Sequence, residues 1–146
     1  MRNFLFSLFI LFSVSAFGQP FLTHYEKTGG TESPTYSNII AWWKALGASS
    51  PLLTMKEMGP TDAGSPLHLI LVSTDKTFDL KKAKQQKKNI LFFNNGIHPG
   101  EPDGIDASML LVRDIVQNKY RLPQNIVLAF IPVYNIGGSL NRSKNY

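Results

Sequence analysis

Ile90-Leu91-Phe92-Phe93-Asn94-Asn95-Gly96-Ile97-His98-Pro99-Gly100-Glu101-Pro102-Asp103-Gly104 is the stretch that decides the fold of this 146-residue chain. Four consecutive apolar residues bounded by turn residues read as a buried strand, and Asn-Asn-Gly ends it in a tight turn. From Pro102 to Gln117 the pattern becomes helical. Ile105, Met109, Val112 and Val116 fall on one face, with Leu111 and Ile115 beside it. Pro102 suits the first helical turn, where its missing N–H is not needed. Asn118 to Pro123 closes that helix, and Ile126 to Tyr134 is a second strongly apolar strand. A strand, a crossover helix and a strand make a βαβ unit, so the two strands are predicted to be parallel neighbours.

Working outward from that unit, Leu52 to Met58 and Pro66 to Ser73 are two extended runs separated by Gly59-Pro60-Thr61-Asp62-Ala63-Gly64-Ser65. They predict antiparallel strands with a loop longer than the tightest hairpins. Leu67-His68-Leu69-Ile70-Leu71-Val72 is nearly continuous in apolar residues, as expected of a strand covered on both faces. Upstream, Ser37 is a candidate N-cap for a helix over Asn38 to Leu46, which places Ile39, Trp42, Trp43 and Leu46 on one side and ends at Gly47. Antiparallel strands followed by a βαβ unit imply an α/β fold, a mixed sheet with helices on both faces. After Asn135 no further apolar strand or helix is evident, so the fourth strand is expected to leave an exposed sheet edge.

The N-terminus reads as an export signal. Arg2 precedes an apolar core from Phe4 to Val14, and Ala16-Phe17-Gly18 places small residues where a signal peptidase cuts. Cleavage after Gly18 leaves Gln19 as the new terminus. The apolar run is shorter than the ~20 residues of a membrane span, so no stable span is expected once the signal is removed. The expected organisation is a signal peptide over 1–18, an irregular lead-in over 19–34 and one domain over 35–146, located in the periplasm or outside the cell. The chain has no cysteine, which excludes a disulfide framework and thiolate metal ligands. Its net charge of +5 includes five lysines within 81–88. No aromatic residues interleave them for base stacking, so nucleic acid is excluded as a partner and the run reads as a solvated connector.

Chemistry concentrates at His98 and Glu101, immediately beyond the third strand. Ligands of open α/β sheets sit beyond the carboxyl ends of the strands. Gly96 and Gly100 let the backbone turn and Pro99 stiffens it, so imidazole and carboxylate can converge on one point. Two readings follow from the residues alone. One is half of a zinc site, whose common catalytic form has two His, one Glu and a water. The other is a cap on the following helix, where Glu101 and Asp103 would also favour the positive end of the dipole. Pro99 after His98 excludes His-Glu-x-x-His, and Pro102 after Glu101 excludes His-x-x-Glu-His. His68, in an apolar strand, reads as a satisfied core residue. His24 lies near a chain end that is expected to be poorly ordered.

The run from Asn94 to Gly104 resembles the zinc-binding turn of the M14 family of zinc carboxypeptidases. Thr35-Tyr36, Trp42, Ser50-Pro51, Gly59-x-Thr61-x-x-Gly64-x-Pro66-Leu67 and the strand ending Pro132-Val133-Tyr134-Asn135 fit the same pattern. The resemblance runs from about Thr35 to Asn135 and implies a zinc-carboxypeptidase-like fold, incomplete in this chain. It implies one Zn2+ ion held by His98 and Glu101. The activity it implies is metallocarboxypeptidase proteolysis, hydrolysis of a C-terminal peptide or amide bond through a zinc-activated water. The partner would be a peptide or peptide-like substrate with a free carboxylate.

The chain departs from the family where Asn135 is followed by Ile136-Gly137-Gly138 instead of Pro-Asp-Gly. The resemblance places the third zinc ligand, the general base and the substrate-carboxylate Asn-Arg pair beyond Tyr146. Leu140-Asn141-Arg142 comes too soon after Asn135 to be that pair and reads as a solvated basic loop. No catalytic residue is therefore assigned, and the chain is expected to be an N-terminal part of the domain, inactive by itself. Asp103 and Asp106 are near enough to hydrogen-bond a ligand, although helix-start charge is the better reading of both. The competing functions are an exported, non-catalytic module that binds peptide or glycan, and a family relative that deacylates small amino acids on the same turn.

Overall fold

The computed structural model describes residues 21–141, so the signal-peptide reading of 1–18 lies outside the described residues. In chain order the elements are α1 (His24–Lys27), α2 (Tyr36–Ser49), β1 (Leu53–Pro60), β2 (Pro66–Val72), α3 (Leu80–Gln85), β3 (Asn89–Asn94), α4 (Asp103–Val116), β4 (Ile126–Ile131) and α5 (Ile136–Leu140). The strands form one mixed sheet in the order β1-β2-β4-β3. β1 and β2 are antiparallel, β2 and β4 are antiparallel, and β3 runs parallel to β4 with Asn94 level with Ile131. No helix among the described residues is long and apolar enough to cross a membrane.

Helices cover both faces of the sheet. On one face α2 contributes Ile39, Trp43 and Leu46, and α4 contributes Ile105, Met109, Val112 and Ile115, packing on Ile70, Val72, Leu128 and Phe130. On the other face Ala83 of α3 covers Leu69, Leu71, Val127 and Ala129. This division explains why β2 and β4 are apolar at almost every position: successive side chains enter opposite cores.

Several expectations need correction. The α2 helix is longer than predicted and is capped by Thr35, whose hydroxyl accepts the Asn38 N–H at 3.3 Å, because Tyr36 already packs inward. The lysine-rich run is partly helical as α3, capped by the Asp79 carboxylate. Within it Lys88 is not solvated, since its side chain is only 7% exposed and its ammonium reaches Asp75 and the Gln124 carbonyl. β4 is central, not an edge. The run after Asn135 folds as α5, with Ile136 buried in the main core. β3, expected to be buried, is an edge strand among the described residues: Ile90, Leu91 and Phe92 are 38%, 45% and 58% exposed. Only Phe93 of that strand reaches inward, stacked on Phe130 at 4.7 Å.

The lead-in is also more ordered than its sequence suggests. Thr23 and Glu26 form a reciprocal capping box around α1. The Glu26 carboxylate then receives Arg113 of α4, with Nη1 to Oε1 at 2.7 Å. Trp42 Nε1 donates to the Phe21 carbonyl at 3.2 Å, tying the start of the described chain to α2. Burial raises the Glu26 pKa, but hydrogen bonds from Arg113 and the Thr23 backbone outweigh that and hold it below the ordinary 4.5. A carboxyl lowered by folding contributes stability that is complete above its unfolded pKa and is lost as pH falls through the folded one.

Glu26→Ala is expected to lower unfolding free energy by about 1.5–3 kcal/mol at pH 7, because it strands Nη1 of the buried Arg113 guanidinium and leaves only the Nε bond to Asp114. The deficit against the parent should shrink below pH 4.5, measured by urea unfolding across the acid range. On the exposed edge, Phe92→Lys is expected to change stability by less than about 0.5 kcal/mol. Sedimentation velocity should show less self-association for this variant, because a charge on an open strand edge discourages strand pairing.

Candidate functional site

The parallel pairing of β3 with β4 continues past both strands and shapes the segment that carries His98. The Asn95 N–H donates to the Ile131 carbonyl at 3.1 Å, the Tyr134 N–H to the Asn95 carbonyl at 2.8 Å, and the Asn135 N–H to the Gly96 carbonyl at 2.9 Å. Gly96 takes φ +62°, and a Cβ there would press on Ile105 Cδ1 at 3.2 Å and Val133 Cγ1 at 3.3 Å. Both conformation and space therefore call for glycine.

Asn95 is buried and polar, and its side chain Nδ2 donates to Ser108 Oγ of α4 at 2.9 Å. Gly104 admits it, since a Cβ at 104 would lie 2.8 Å from Asn95 Oδ1. The sequence reading overlooked this pair. A signal was present: Ser108 lies among core positions of an amphipathic helix, and a buried hydroxyl needs a partner.

Held in this way, the turn brings His98 and Glu101 together. His98 Nδ1 and Glu101 Oε2 are 3.0 Å apart, and both side chains are 71% exposed. Two ligands on one tetrahedral zinc ion, with bonds near 2.1 Å, would be separated by roughly 3.4 Å, so the pair fits one ion after a small adjustment. The contact in the structure is a hydrogen bond between the two. Neither side chain caps α4, whose N-cap is Pro102 with no side-chain cap bond. The helix-cap reading is not realised, and Asp103 and Asp106 supply the acidic first turn.

Other titratable groups stay apart from this turn. Among the described residues no group of three or more His, Asp or Glu side chains converges as a metal site would require. His24 bonds Glu32 at 3.2 Å in an ordered helix instead of a loose end. His68 is buried, as expected, but neither ring nitrogen has a hydrogen-bond partner; its nearest charge is Glu57 at 3.9 Å. Burial lowers the His68 pKa, opposed by the Glu57 charge. The described part of Leu140-Asn141-Arg142 ends α5, with Asn141 as its C-cap.

Two shallow depressions flank Ile97. One, of about 320 Å³, is lined by Asn94, Gly96, Glu101 and Asp103. The other, of about 390 Å³, is lined by Asp62, Leu67, Tyr134 and Asn135. A depression of about 530 Å³ between the lead-in and α2 is larger, but it lies against Phe21, Pro34 and Trp42. The site is identified by converging donor atoms at the strand ends, not by cavity size.

Residues 39–142 match the family model described as zinc carboxypeptidase, Peptidase_M14. Among solved structures, the carboxypeptidase A from Helicoverpa armigera superposes with a TM-score of 0.63 at 21% identity, covering 79% of this chain and 30% of that one. Thrombin activatable fibrinolysis inhibitor gives 0.60 at 16% identity, covering 75% and 27%. The metallo-carboxypeptidase from Burkholderia cenocepacia gives 0.54 at 20%, covering 74% and 28%. These likenesses establish the fold, and the chain spans about 30% of the length of the structures it matches. No curated protein matches.

Asn95→Ala is expected to lower unfolding free energy by about 1–3 kcal/mol, since it strands a buried Ser108 hydroxyl. Adding Ser108→Ala should cost less than the sum of the single changes, a coupling that chemical denaturation of the four proteins in the cycle measures.

Proposed function

Because the chain belongs to the zinc carboxypeptidase family, we propose that it carries two protein ligands, His98 and Glu101, of an exported zinc-dependent carboxypeptidase. One observation carries this reading. The imidazole Nδ1 and the carboxylate Oε2 converge at 3.0 Å on an exposed turn, at the carboxyl ends of two parallel strands. A bound zinc ion supplies Lewis acidity to a carbonyl at such a site. What this chain contributes is placement: His98 and Glu101 hold the ion, and Gly96, Asn95 and Ser108 hold the turn. The third ligand and the proton-transferring group are assigned to the part of the domain beyond this chain. The substrate is a peptide or peptide-like molecule with a free carboxylate, cleaved near its C-terminus. Export rests on the leader-like composition of residues 1–18.

Zinc titration of the purified chain, followed by NMR amide shifts, tests the ligand assignment. Saturable shifts should appear over residues 96–104. His98→Ala and Glu101→Ala should each weaken binding by about tenfold or more. Binding should also weaken on acidification, because an imidazole and a carboxylate bind metal only when deprotonated. Zinc uptake that is the same in the parent and in His98→Ala would contradict the assignment.

A further inference from the structure

Gly138 stands directly behind the His98–Glu101 turn. It lies inside α5 and does not take a positive φ, so backbone conformation does not demand glycine there. Alanine is also the better helix former. Space supplies the reason. A Cβ at residue 138 would overlap Pro99 Cγ outright and would lie 2.9 Å from Asn135 Oδ1. At Gly137, one position earlier in the same helix, a Cβ would meet only Ala63 Cβ at an ordinary 3.8 Å.

Neither side of this contact can move away cheaply. The Pro99 ring is closed on its own backbone nitrogen and cannot rotate aside as an open side chain would. Its displacement is a displacement of the peptide that joins His98 to Gly100. α5 is pinned as well. The Asn135 N–H is bonded to the Gly96 carbonyl, Asn135 Oδ1 accepts the Gly138 N–H at 2.8 Å, and Ile136 is buried in the main core. A side chain at 138 would therefore push on the turn and not on the helix.

We propose that Gly138 is a positioning residue for the metal-ligand pair: α5 acts as a backstop whose missing Cβ lets Pro99 seat and keeps His98 and Glu101 convergent. This deepens the zinc reading above and rests on it. It also bears on Ile136-Gly137-Gly138 after Asn135, where the resemblance led us to expect Pro-Asp-Gly: the position that stands against Pro99 is the one that is glycine in both.

The test compares Gly138→Ala with Gly137→Ala, and Pro99→Ala with the Pro99→Ala/Gly138→Ala pair, in the full chain. In the parent, a nuclear Overhauser contact should link the Pro99 ring to the Gly138 α-protons. Gly138→Ala should displace the amide shifts of residues 98–101 and weaken zinc binding by about 10–100-fold, the range seen when a ligand's supporting partner is lost. Gly137→Ala should leave both unchanged. In the Pro99→Ala background, which lacks Cγ, adding Gly138→Ala should alter zinc affinity much less. This comparison also holds if Gly138→Ala alone folds poorly. A missing Pro99–Gly138 contact, or a Gly138→Ala variant that binds zinc as Gly137→Ala does, overturns the positioning role. A parent that takes up no zinc at all overturns the ligand reading beneath it.

Discussion

The structure depends on the register of β3 against β4. Their parallel pairing sets Asn94 level with Ile131, so both strands release their chains at the same end of the sheet. Everything with chemical potential in this protein follows from that coincidence. The segment after β3 becomes the His98–Glu101 turn, the segment after β4 becomes α5, and three backbone hydrogen bonds lace the two together before they diverge. An antiparallel arrangement would have sent them to opposite ends. The crossover helix α4 that permits the parallel arrangement also supplies Ser108, the partner that fixes Asn95 beneath the turn. One topological choice thus sets the direction, spacing and support of the site.

Polar anchors hold the helices on this frame. Arg113 links α4 to the lead-in through Glu26. On the other face Lys88 reaches Asp75 and the Gln124 carbonyl, joining the segment after β2 to the connection before β4. The Asp75 carboxyl is held far below the usual carboxylate range, chiefly by its hydrogen bond from Lys88 and then by those from Ser73 and Thr77. Both cations are close to fully buried. Removing one partner of such a pair harms a fold far more than replacing both.

Much of this was legible in the chain. Periodicity located β2, α4 and β4, the crossover rule predicted the parallel pair, and turn residues marked the end of β3. His98 and Glu101 were visible as donors at a strand end, although the residues alone could not choose between ligand and cap. Misreadings arose where context outweighs local pattern. Ile90-Leu91-Phe92 looks buried because apolar runs usually are, yet burial depends on what lies beside a strand, and sequence alone does not reveal its neighbours. Lys88 looks solvated because its run is basic, while the Asp75 carboxylate and a carbonyl 36 residues away draw it inside. The Gly138–Pro99 contact joins residues far apart in sequence and involves an atom that glycine lacks.

The lead-in has a consequence for where this domain begins. The family match starts at residue 39, and the sheet, the turn and α5 all lie beyond that point. A boundary drawn there would keep every strand and both proposed ligands. It would also discard Phe21, Thr23, Glu26 and the first residues of α2, leaving Trp42 without its carbonyl and Arg113 with Asp114 as its one remaining carboxylate. Homology marks the extent of what relatives share, whereas the unit that folds is defined by which buried groups are satisfied. Here the physical domain is longer at its N-terminal side than the shared one, and the difference is held by one indole and one guanidinium.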